Sequence, residues 1–274
     1  MSPASPSRRA VLLGAAAATL AACGSDGPTA GSSQSGAFTS RYRSGARTGW
    51  TILYPPGHSS SRSRRGLPVL VALHGRTGNH TDAYRKLHLD EVLADVTARG
   101  GRPYAIASVD GGDHDYWHPR RTADPAGMVV HEFLPLLAAH GLDPRRPGFL
   151  GWSMGGYGAL YLASVLGAAR CAVAVAASAA IWHRADQVVE GSFDDAADFR
   201  AHALWSRLPR LTGIPLRIDC GASDGFAPVI RDLRARVHPT PAGGIEPGGH
   251  DSRYWRRMAP AELAFAAAHL GRGA

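Results

Sequence analysis

From about Arg47 onward, short runs rich in β-forming residues alternate with amphipathic helical stretches. Strand-like runs cover 49–54, 67–73, 104–109, 148–150, 171–177 and 215–220. Strands that alternate with helices usually pair in parallel, because each helix carries the chain back across the sheet. The sequence therefore predicts an α/β fold with a mostly parallel central sheet flanked by helices. Any cap over the sheet is small, and the polar segment 181–213 is the candidate for it.

Helix limits are visible at several points of the chain. Asp124 followed by Pro125 is typical of a helix start, and this helix is predicted to run to about residue 140. Other helices are predicted over 82–99, from residue 154 to about 166, over 227–237 and over 260–270. A weakly marked strand over 243–246 precedes the last of them.

The N-terminus has the features of an export signal and a tether. Arg8 and Arg9 precede the apolar stretch 10–22, which is too short to cross a bilayer. The sequence Leu-Ala-Ala-Cys that ends at Cys23 resembles the lipobox of bacterial lipoproteins. We predict a signal peptide over 1–22, a lipidated Cys23 with a flexible linker over 23–46, and one catalytic domain over 47–274. The protein is expected on the outer face of the cytoplasmic membrane, or in the medium if the lipobox is not used.

The charge of the chain is basic but not clustered. The formal net charge is +8, and removal of Arg8 and Arg9 with the signal peptide leaves 8 − 2 = +6. Lys86 is the sole lysine, and the arginines are scattered through the sequence. A nucleic-acid-binding surface would show a basic stripe with stacking aromatic residues. No nucleic-acid partner is therefore expected.

If Cys23 carries a lipid, Cys171 and Cys220 remain as candidates for a disulfide. Cys171 opens one predicted strand and Cys220 closes its neighbour, which separates them by roughly 16 Å along the strands. A disulfide tolerates about 7 Å between Cα atoms. We predict that the two thiols stay free.

The pattern Gly-x-Ser-x-Gly occurs twice, at 151–155 around Ser153 and at 221–225 around Ser223. Both copies follow a predicted strand and precede a helix, so the pattern alone does not identify a nucleophile. Chain order does distinguish them, because an α/β hydrolase places nucleophile, acid and histidine in that order at the ends of successive strands. Ser153 is followed by Asp224 and then by His250, whereas Ser223 has no comparable set.

These three residues predict nucleophilic catalysis. A serine hydroxyl needs a base to accept its proton, and His250 lies in the flexible turn 247–251 after the last predicted strand. Asp224 would orient the imidazole. Its rival is Asp219, whose position in the strand points its side chain away from the strand end.

An oxyanion formed during acyl transfer needs two N–H donors. The N–H of Met154, directly after the nucleophile, is one candidate, and that of Arg76, in the turn after the strand 67–73, is the other. In that turn, His74 and Gly75 are candidate substrate contacts.

Tryptophans and a polar loop complete the candidate site. Trp117, Trp152 and Trp255 could line an acyl pocket, although core packing explains any one of them equally well. The loop 113–118 contains two histidines and two aspartates, but no pair has the spacing of a zinc site on a helix. No metal is expected there, and a substrate-contacting loop or plain surface explains it better.

The segments 151–160, Gly-Trp-Ser-Met-Gly-Gly-Tyr-Gly-Ala-Leu, and 248–255, Gly-Gly-His-Asp-Ser-Arg-Tyr-Trp, resemble the esterase D type of esterases. This family belongs to the α/β-hydrolase superfamily and is related to cell-wall mycolyltransferases. The resemblance covers about residues 49–270. It implies a carboxylic ester hydrolase without a cofactor, with Ser153, Asp224 and His250 as its triad and Met154 and Arg76 as its oxyanion donors.

Two other functions fit the same residues. An acyltransferase would pass the acyl group to a sugar or lipid alcohol, but mycolyltransferases have an acid and Gly-Leu in the turn where this chain has His74, Gly75 and Arg76. A lipoprotein that only binds ligands could also retain a hydrolase scaffold. The sequence favours hydrolysis of a small-molecule or lipid ester.

Overall fold

The computed structural model describes residues 31–271. Its centre is an eight-stranded sheet with the strand order β1-β2-β4-β3-β5-β6-β7-β8. The strands are β1 (Ser32–Ser40), β2 (Ala46–Tyr54), β3 (Pro68–Leu73), β4 (Ala105–Val109), β5 (Asp143–Trp152), β6 (Val173–Ala177), β7 (Leu216–Gly221) and β8 (Ile245–Glu246). β2 pairs antiparallel with β1 and with β4, and the other pairs are parallel. The predicted α/β class with a mostly parallel sheet is confirmed.

The helices are α1 (Asp82–Arg85), α2 (Leu89–Ala98), α3 (Pro125–Met128), α4 (Leu134–Ala139), α5 (Met154–Leu166), α6 (Ala196–His202), α7 (Ala227–Arg236) and α8 (Ser252–His269). A π-helical turn over Val129–Phe133 joins α3 to α4, so one helical segment runs from residue 125 to 139 as predicted. Asp124 caps it by accepting a hydrogen bond from the N–H of Gly127 at 2.7 Å.

The sheet separates two apolar layers. Along β3, Val69, Val71 and Leu73 face the layer that contains α5, whereas Leu70 and Ala72 face the layer that contains α2 and α8. Every one of these side chains is fully buried. A strand covered on both faces in this way has no polar face, which explains the continuous apolar run that predicted it.

The topology places the ends of four neighbouring strands at one edge of the sheet. β5, β6, β7 and β8 run in parallel and are neighbours in the sheet. Their carboxyl ends therefore lie along the same edge, and the loops that follow them meet there. Ser153 follows β5, Asp224 follows β7, and His250 follows β8.

Two predicted helix limits are wrong. The last helix begins at Ser252 and not at residue 260, because Asp251 caps it by accepting from the N–H of Tyr254 at 2.9 Å. Pro260 lies inside this helix. The helix predicted over 82–99 is divided into α1 and α2 at His88, whose φ of 54° is left-handed.

The linker predicted over 23–46 is wrong in the part that the structure describes. Ser32–Ser40 form strand β1, which pairs with β2 from Ser32 opposite Tyr54 to Ser40 opposite Ala46. Pairing of its main chain with β2 makes this segment a strand. Its Gly- and Ser-rich sequence has no apolar pattern from which a strand could be predicted. The predicted signal peptide, lipobox and Cys23 lie outside the described residues.

Cys171 and Cys220 are both buried and both free, as predicted. In the register of β6 and β7, Ala177 lies opposite Asp219, so Cys171 and Cys220 stand at different heights along the strands. Burial raises the pKa of each thiol to about 12, which keeps both protonated and poorly reactive.

Candidate active site

Ser153 lies in a sharp turn between β5 and α5. Its φ of 56° and ψ of −120° are a conformation that residues with a side chain rarely adopt. Main-chain hydrogen bonds hold the residue in place: its N–H donates to the carbonyl of Ala177, and its carbonyl accepts from Ala180, each at 3.0 Å. The turn presents the serine side chain at the carboxyl edge of the sheet.

The glycines on either side of Ser153 are required by close packing. A Cβ on Gly151 would lie 2.1 Å from the carbonyl oxygen of Gly155, and a Cβ on Gly155 would lie 1.9 Å from that of Leu73. Both contacts are far below van der Waals separation and involve rigid main chain. The first turn of α5 therefore lies against β3 and β5 at a distance that only glycine allows.

His250 joins Ser153 to Asp224. Its Nε2 lies 2.8 Å from the Ser153 Oγ, and its Nδ1 lies 2.8 Å from the Asp224 Oδ2. Because a carboxylate accepts, Nδ1 carries the proton and Nε2 faces the hydroxyl as an acceptor. The Asp224 side chain is fully buried, whereas that of His250 is 32% exposed. The imidazole is thus oriented from inside the protein and open to solvent at its reactive side.

Asp224 is held as a carboxylate. Burial alone would raise its pKa, but the hydrogen bonds from His250 and from the N–H of Phe226 outweigh burial and hold the pKa below its usual value. The rival acid, Asp219, is instead paired with Arg217, its Oδ2 lying 2.6 Å from the arginine Nε. The structure therefore brings Asp224, and not Asp219, to the histidine.

The turn that contains Arg76 is fixed by the ring of His74. This imidazole donates from Nδ1 to the carbonyl of Gly75 at 2.8 Å and accepts at Nε2 from the N–H of Gly111 at 2.9 Å. Burial lowers the pKa of His74, which agrees with a neutral ring that both donates and accepts. His74 and Gly75 are buried, so they shape the turn and do not form an open substrate surface.

Two main-chain N–H groups remain available near the nucleophile. Met154 is the first residue of α5, where an N–H has no acceptor within the helix. The N–H of Arg76 makes no hydrogen bond within residues 31–271. The Arg76 side chain is exposed and donates from Nε to His114 Nδ1 at 2.8 Å.

The tryptophans predicted as an acyl pocket are mostly packing residues. Trp117 is fully buried against Gly111 and Gly158, so its assignment as a substrate contact is wrong. Trp152 is only 2% exposed and packs in the apolar layer of α2 and α8, which excludes it from an open pocket as well. Trp255 packs edge-on against His250, with ring centroids 5.2 Å apart, and so positions the imidazole.

Two aromatic side chains beside the triad were not singled out from the sequence. The ring of Phe226 lies 5.4 Å from that of His250, and Trp182 lies 5.6 Å from Phe226. Both are partly exposed. We refer to this pair as the aromatic wall. Phe226 could have been found from its position two residues after Asp224. Trp182 lies at the start of the segment 181–213, where no sequence pattern marks it.

Within residues 31–271, one group of imidazole and carboxylate side chains has ligand atoms close enough to hold a metal ion. It consists of His118, Asp198 and His202. Sequence spacing did not reveal it, because His118 is 80 residues away from the helix that carries the other two.

Residues 43–266 match the sequence profile of the family described as "Putative esterase". No curated protein matches the chain. Among solved structures, a ferulic acid esterase is 20% identical, with a TM-score of 0.72 over 89% of this chain and 100% of that one.

Two further solved structures have the same fold. An S-formylglutathione hydrolase from Agrobacterium tumefaciens is 16% identical, with a TM-score of 0.72 over 90% of this chain and 98% of that one. MPT51 from Mycobacterium tuberculosis is 15% identical, with a TM-score of 0.65 over 86% and 99%. At such low identity, these similarities establish the fold and leave the substrate to be argued from the site.

Proposed function

The chain belongs to the putative esterase family, a group of carboxylesterase-type hydrolases, and we propose that it cleaves carboxylic esters through an acyl-enzyme on Ser153. His250 acts as general base and Asp224 as the acid that orients it. The observation that carries this proposal is the continuous pair of 2.8 Å contacts from the Ser153 Oγ through His250 to Asp224.

Each step of the reaction uses an atom in this chain of contacts. The Ser153 Oγ attacks the ester carbonyl carbon while its proton passes to the His250 Nε2. The N–H groups of Met154 and Arg76 bind the negative oxygen that forms. The bond to the leaving alcohol then breaks, and His250 returns the proton to the alcohol oxygen. A water molecule repeats the sequence on the acyl-enzyme and releases the acid.

The second copy of the serine pattern supplies a matched control for the nucleophile. Ser223 is exposed and lies in the loop between β7 and α7, so Ser223→Ala makes the same chemical change outside the triad. We expect Ser153→Ala to abolish labelling by a fluorophosphonate probe and to lower kcat on p-nitrophenyl acetate by at least about 10⁴-fold. Ser223→Ala should keep both. Labelling that persists in Ser153→Ala would refute the assignment.

Hydrolysis is favoured over acyl transfer because water can reach the base. The His250 side chain is 32% exposed, and the turn residue Arg76 differs from the Gly-Leu turn of mycolyltransferases. Adding a primary alcohol to the p-nitrophenyl ester reaction tests this step. We expect free acid as the main product, and an ester of the added alcohol that forms faster than the acid would instead indicate an acyltransferase.

The aromatic wall supports an aromatic substituent in the substrate. Phe226 offers partly exposed ring surface directly beside the reacting imidazole, and Trp182 extends this surface through its contact with Phe226, so a planar group of the ester can pack there. The similar fold of a ferulic acid esterase agrees with this choice. We therefore propose esters of arylalkenoic or arylalkanoic acids as the substrate class.

Export and lipid anchoring are proposed from the N-terminal sequence. Arg8, Arg9 and Cys23 form the twin-arginine and lipobox patterns. In the part of the chain that the structure describes, no helix is long and apolar enough to cross a membrane. Metabolic labelling with an alkyne fatty acid should mark the wild type and leave Cys23→Ala unlabelled. Equal labelling of both would show that the anchor is not at this cysteine.

A further inference from the structure

A cluster of polar side chains outside the triad lies where the loop that follows β4 meets α6. His118 belongs to the loop and is fully buried, while Asp198 and His202 stand one helical turn apart on α6. The His118 Nε2 is 3.2 Å from the Asp198 Oδ2, and the His202 Nδ1 is 2.7 Å from the Asp198 Oδ1. The chemistry proposed for Ser153 uses none of the three.

The ring of His118 faces two hydrogen-bond acceptors. Its Nδ1 lies 3.0 Å from the carbonyl oxygen of Tyr116, and its Nε2 faces the carboxylate of Asp198. Both partners are acceptors, yet a neutral imidazole has one N–H and one lone pair. If Nδ1 donates to Tyr116, a lone pair of Nε2 points at a negatively charged oxygen. A cation between these two atoms would remove the conflict.

We propose that His118, Asp198 and His202 bind a single divalent transition-metal ion. Two imidazoles and one carboxylate are the ligands that Zn²⁺, Co²⁺ and Ni²⁺ favour. Asp198 and His202 have the i, i+4 spacing that turns two ligands to one side of a helix. The ion would tie α6 to the loop at residue 118.

The distances require a small adjustment on binding. The three ligand atoms lie within 4.8 Å of one another, whereas ligands about 2.1 Å from a tetrahedral ion are about 3.4 Å apart. His202 is the last residue of α6 and its side chain is 18% exposed, so it can move toward the ion and also gives the ion a path from solvent. His118 and Asp198 are already at a suitable separation.

A nearby arginine limits the affinity. Arg120 Nε lies 3.8 Å from the Asp198 Oδ2, and its positive charge opposes a second cation. Its guanidinium is, however, held mainly by Asp194, at 2.9 Å. We therefore expect binding in the micromolar range and a site that holds loop and helix together without taking part in ester cleavage.

The test is a Zn²⁺ titration of chelator-treated full-length protein that carries no polyhistidine tag. Calorimetry should show one equivalent bound, elemental analysis should confirm the ratio, and Zn²⁺ should raise the Tm. His202→Gln removes the most accessible ligand and should weaken binding at least tenfold and abolish the Tm increase. Asp198→Asn should do the same.

His183→Gln is the matched control, because it removes a partly exposed imidazole that pairs with Asp232 outside the cluster. It should bind Zn²⁺ as the wild type does. Wild-type protein that binds no Zn²⁺ would overturn the proposal. Binding that is equal in wild type and His202→Gln would overturn it too. Ester hydrolysis should persist in His202→Gln, so failure of this proposal is separable from failure of the proposed catalytic function.

Discussion

Phe226 and Trp182 are the side chains on which the proposed substrate preference depends. The contacts among Ser153, His250 and Asp224 carry the proposed acyl-enzyme chemistry but do not select an acyl group. Selection requires surface that the substrate can cover, and the aromatic wall offers it within one ring contact of His250. Ring packing contributes about 0.5–1.5 kcal/mol beyond the area it buries.

Trp182→Ala tests the role of the wall. We expect kcat/KM for an arylalkenoic ester to fall about tenfold, chiefly through a higher KM, because the variant loses ring contact that the bound substrate makes. Steady-state rates on that ester and on p-nitrophenyl acetate are the measurement. The acetyl ester is the internal control and should change less than about twofold. Equal losses on both substrates would show that Trp182 supports the triad and does not contact the acyl group.

At the residue scale, the sequence predicted which residues meet at the site better than it predicted how buried each side chain is. The order of Ser153, Asp224 and His250 along the chain follows from strand order, and the structure brings the three side chains together. Trp117 could not be placed in the same way, because its burial depends on Gly111 and Gly158, which approach it from separate elements. The burial of one side chain depends on several segments that are distant in the sequence, so a local sequence pattern does not predict it.

Among the elements, α5 approaches β3 so closely that residue 155 has no room for a Cβ. Gly155→Ala places a methyl group against the carbonyl of Leu73, so the helix must move away from the sheet. We expect a loss of at least about 2 kcal/mol in the free energy of unfolding. For a chain of this size, each kcal/mol lowers the Tm by about 2–4 °C. Thermal unfolding followed by circular dichroism measures it.

Gly225→Ala is the control, since Gly225 occupies the same place in the second copy of the serine pattern. A Cβ there meets no atom within 4 Å, and we expect a change below about 0.5 kcal/mol. If Gly155→Ala and Gly225→Ala lowered the Tm equally, the close approach of α5 to β3 would not be the reason for glycine at residue 155.

The contact between α8 and β7 makes the stability of the folded protein depend on pH. Glu262 of α8 is buried next to Asp219 of β7, which Arg217 holds in an ion pair. Burial raises the pKa of Glu262 well above its usual value, and the negative charge of Asp219 adds to the effect. Glu262 is therefore protonated in the folded protein. The unfolded chain releases this proton above about pH 4.3, so stability falls as the pH rises from there toward the folded-state pKa.

Glu262→Gln should remove this pH dependence, because the amide is neutral and can still donate a hydrogen bond to Asp219. The difference in the free energy of unfolding between the variant and the wild type should therefore shift in favour of the variant from pH 5 to pH 8. Urea unfolding at both pH values measures it. Glu246→Gln changes an exposed carboxylate and should leave the wild-type slope intact. A wild-type stability that rises over this range, with the same slope in Glu262→Gln, would contradict the assignment.

Helices and strands were predicted correctly where burial produces an apolar pattern in the sequence. They were missed where a strand or a helix end depends on single hydrogen bonds or on pairing with another strand. β3 was recognised because both of its faces are apolar. The start of α8 depends on one hydrogen bond to the Asp251 side chain. The sequence prediction instead placed the start of this helix at Pro260, which lies inside α8. β1 has a sequence suited to a linker, and only its partner strand makes it part of the sheet.

For the whole molecule, β1 adds a strand to the sheet ahead of residue 47, where the sequence predicted the catalytic domain to begin. It covers one edge of β2, whose other edge pairs with β4, and main-chain bonds satisfy groups that would otherwise be open to other chains. At the end of β1, Ser40 is fully buried and donates to Glu132 of the helical segment 125–139. β1 is thus joined both to the sheet and to the layer that covers it.

A truncated protein that begins at residue 46 should therefore be less stable than one that begins at residue 31. The shorter protein leaves β2 as an unpaired edge and Glu132 without its partner, and exposed strand edges promote aggregation. We expect it to give little soluble protein or a Tm lower by several degrees, whereas the longer protein should match the full chain. Soluble yield, thermal unfolding and p-nitrophenyl acetate hydrolysis of the two measure the effect. Equal stability and activity would make β1 a dispensable extension and would restore residue 47 as the start of the catalytic unit.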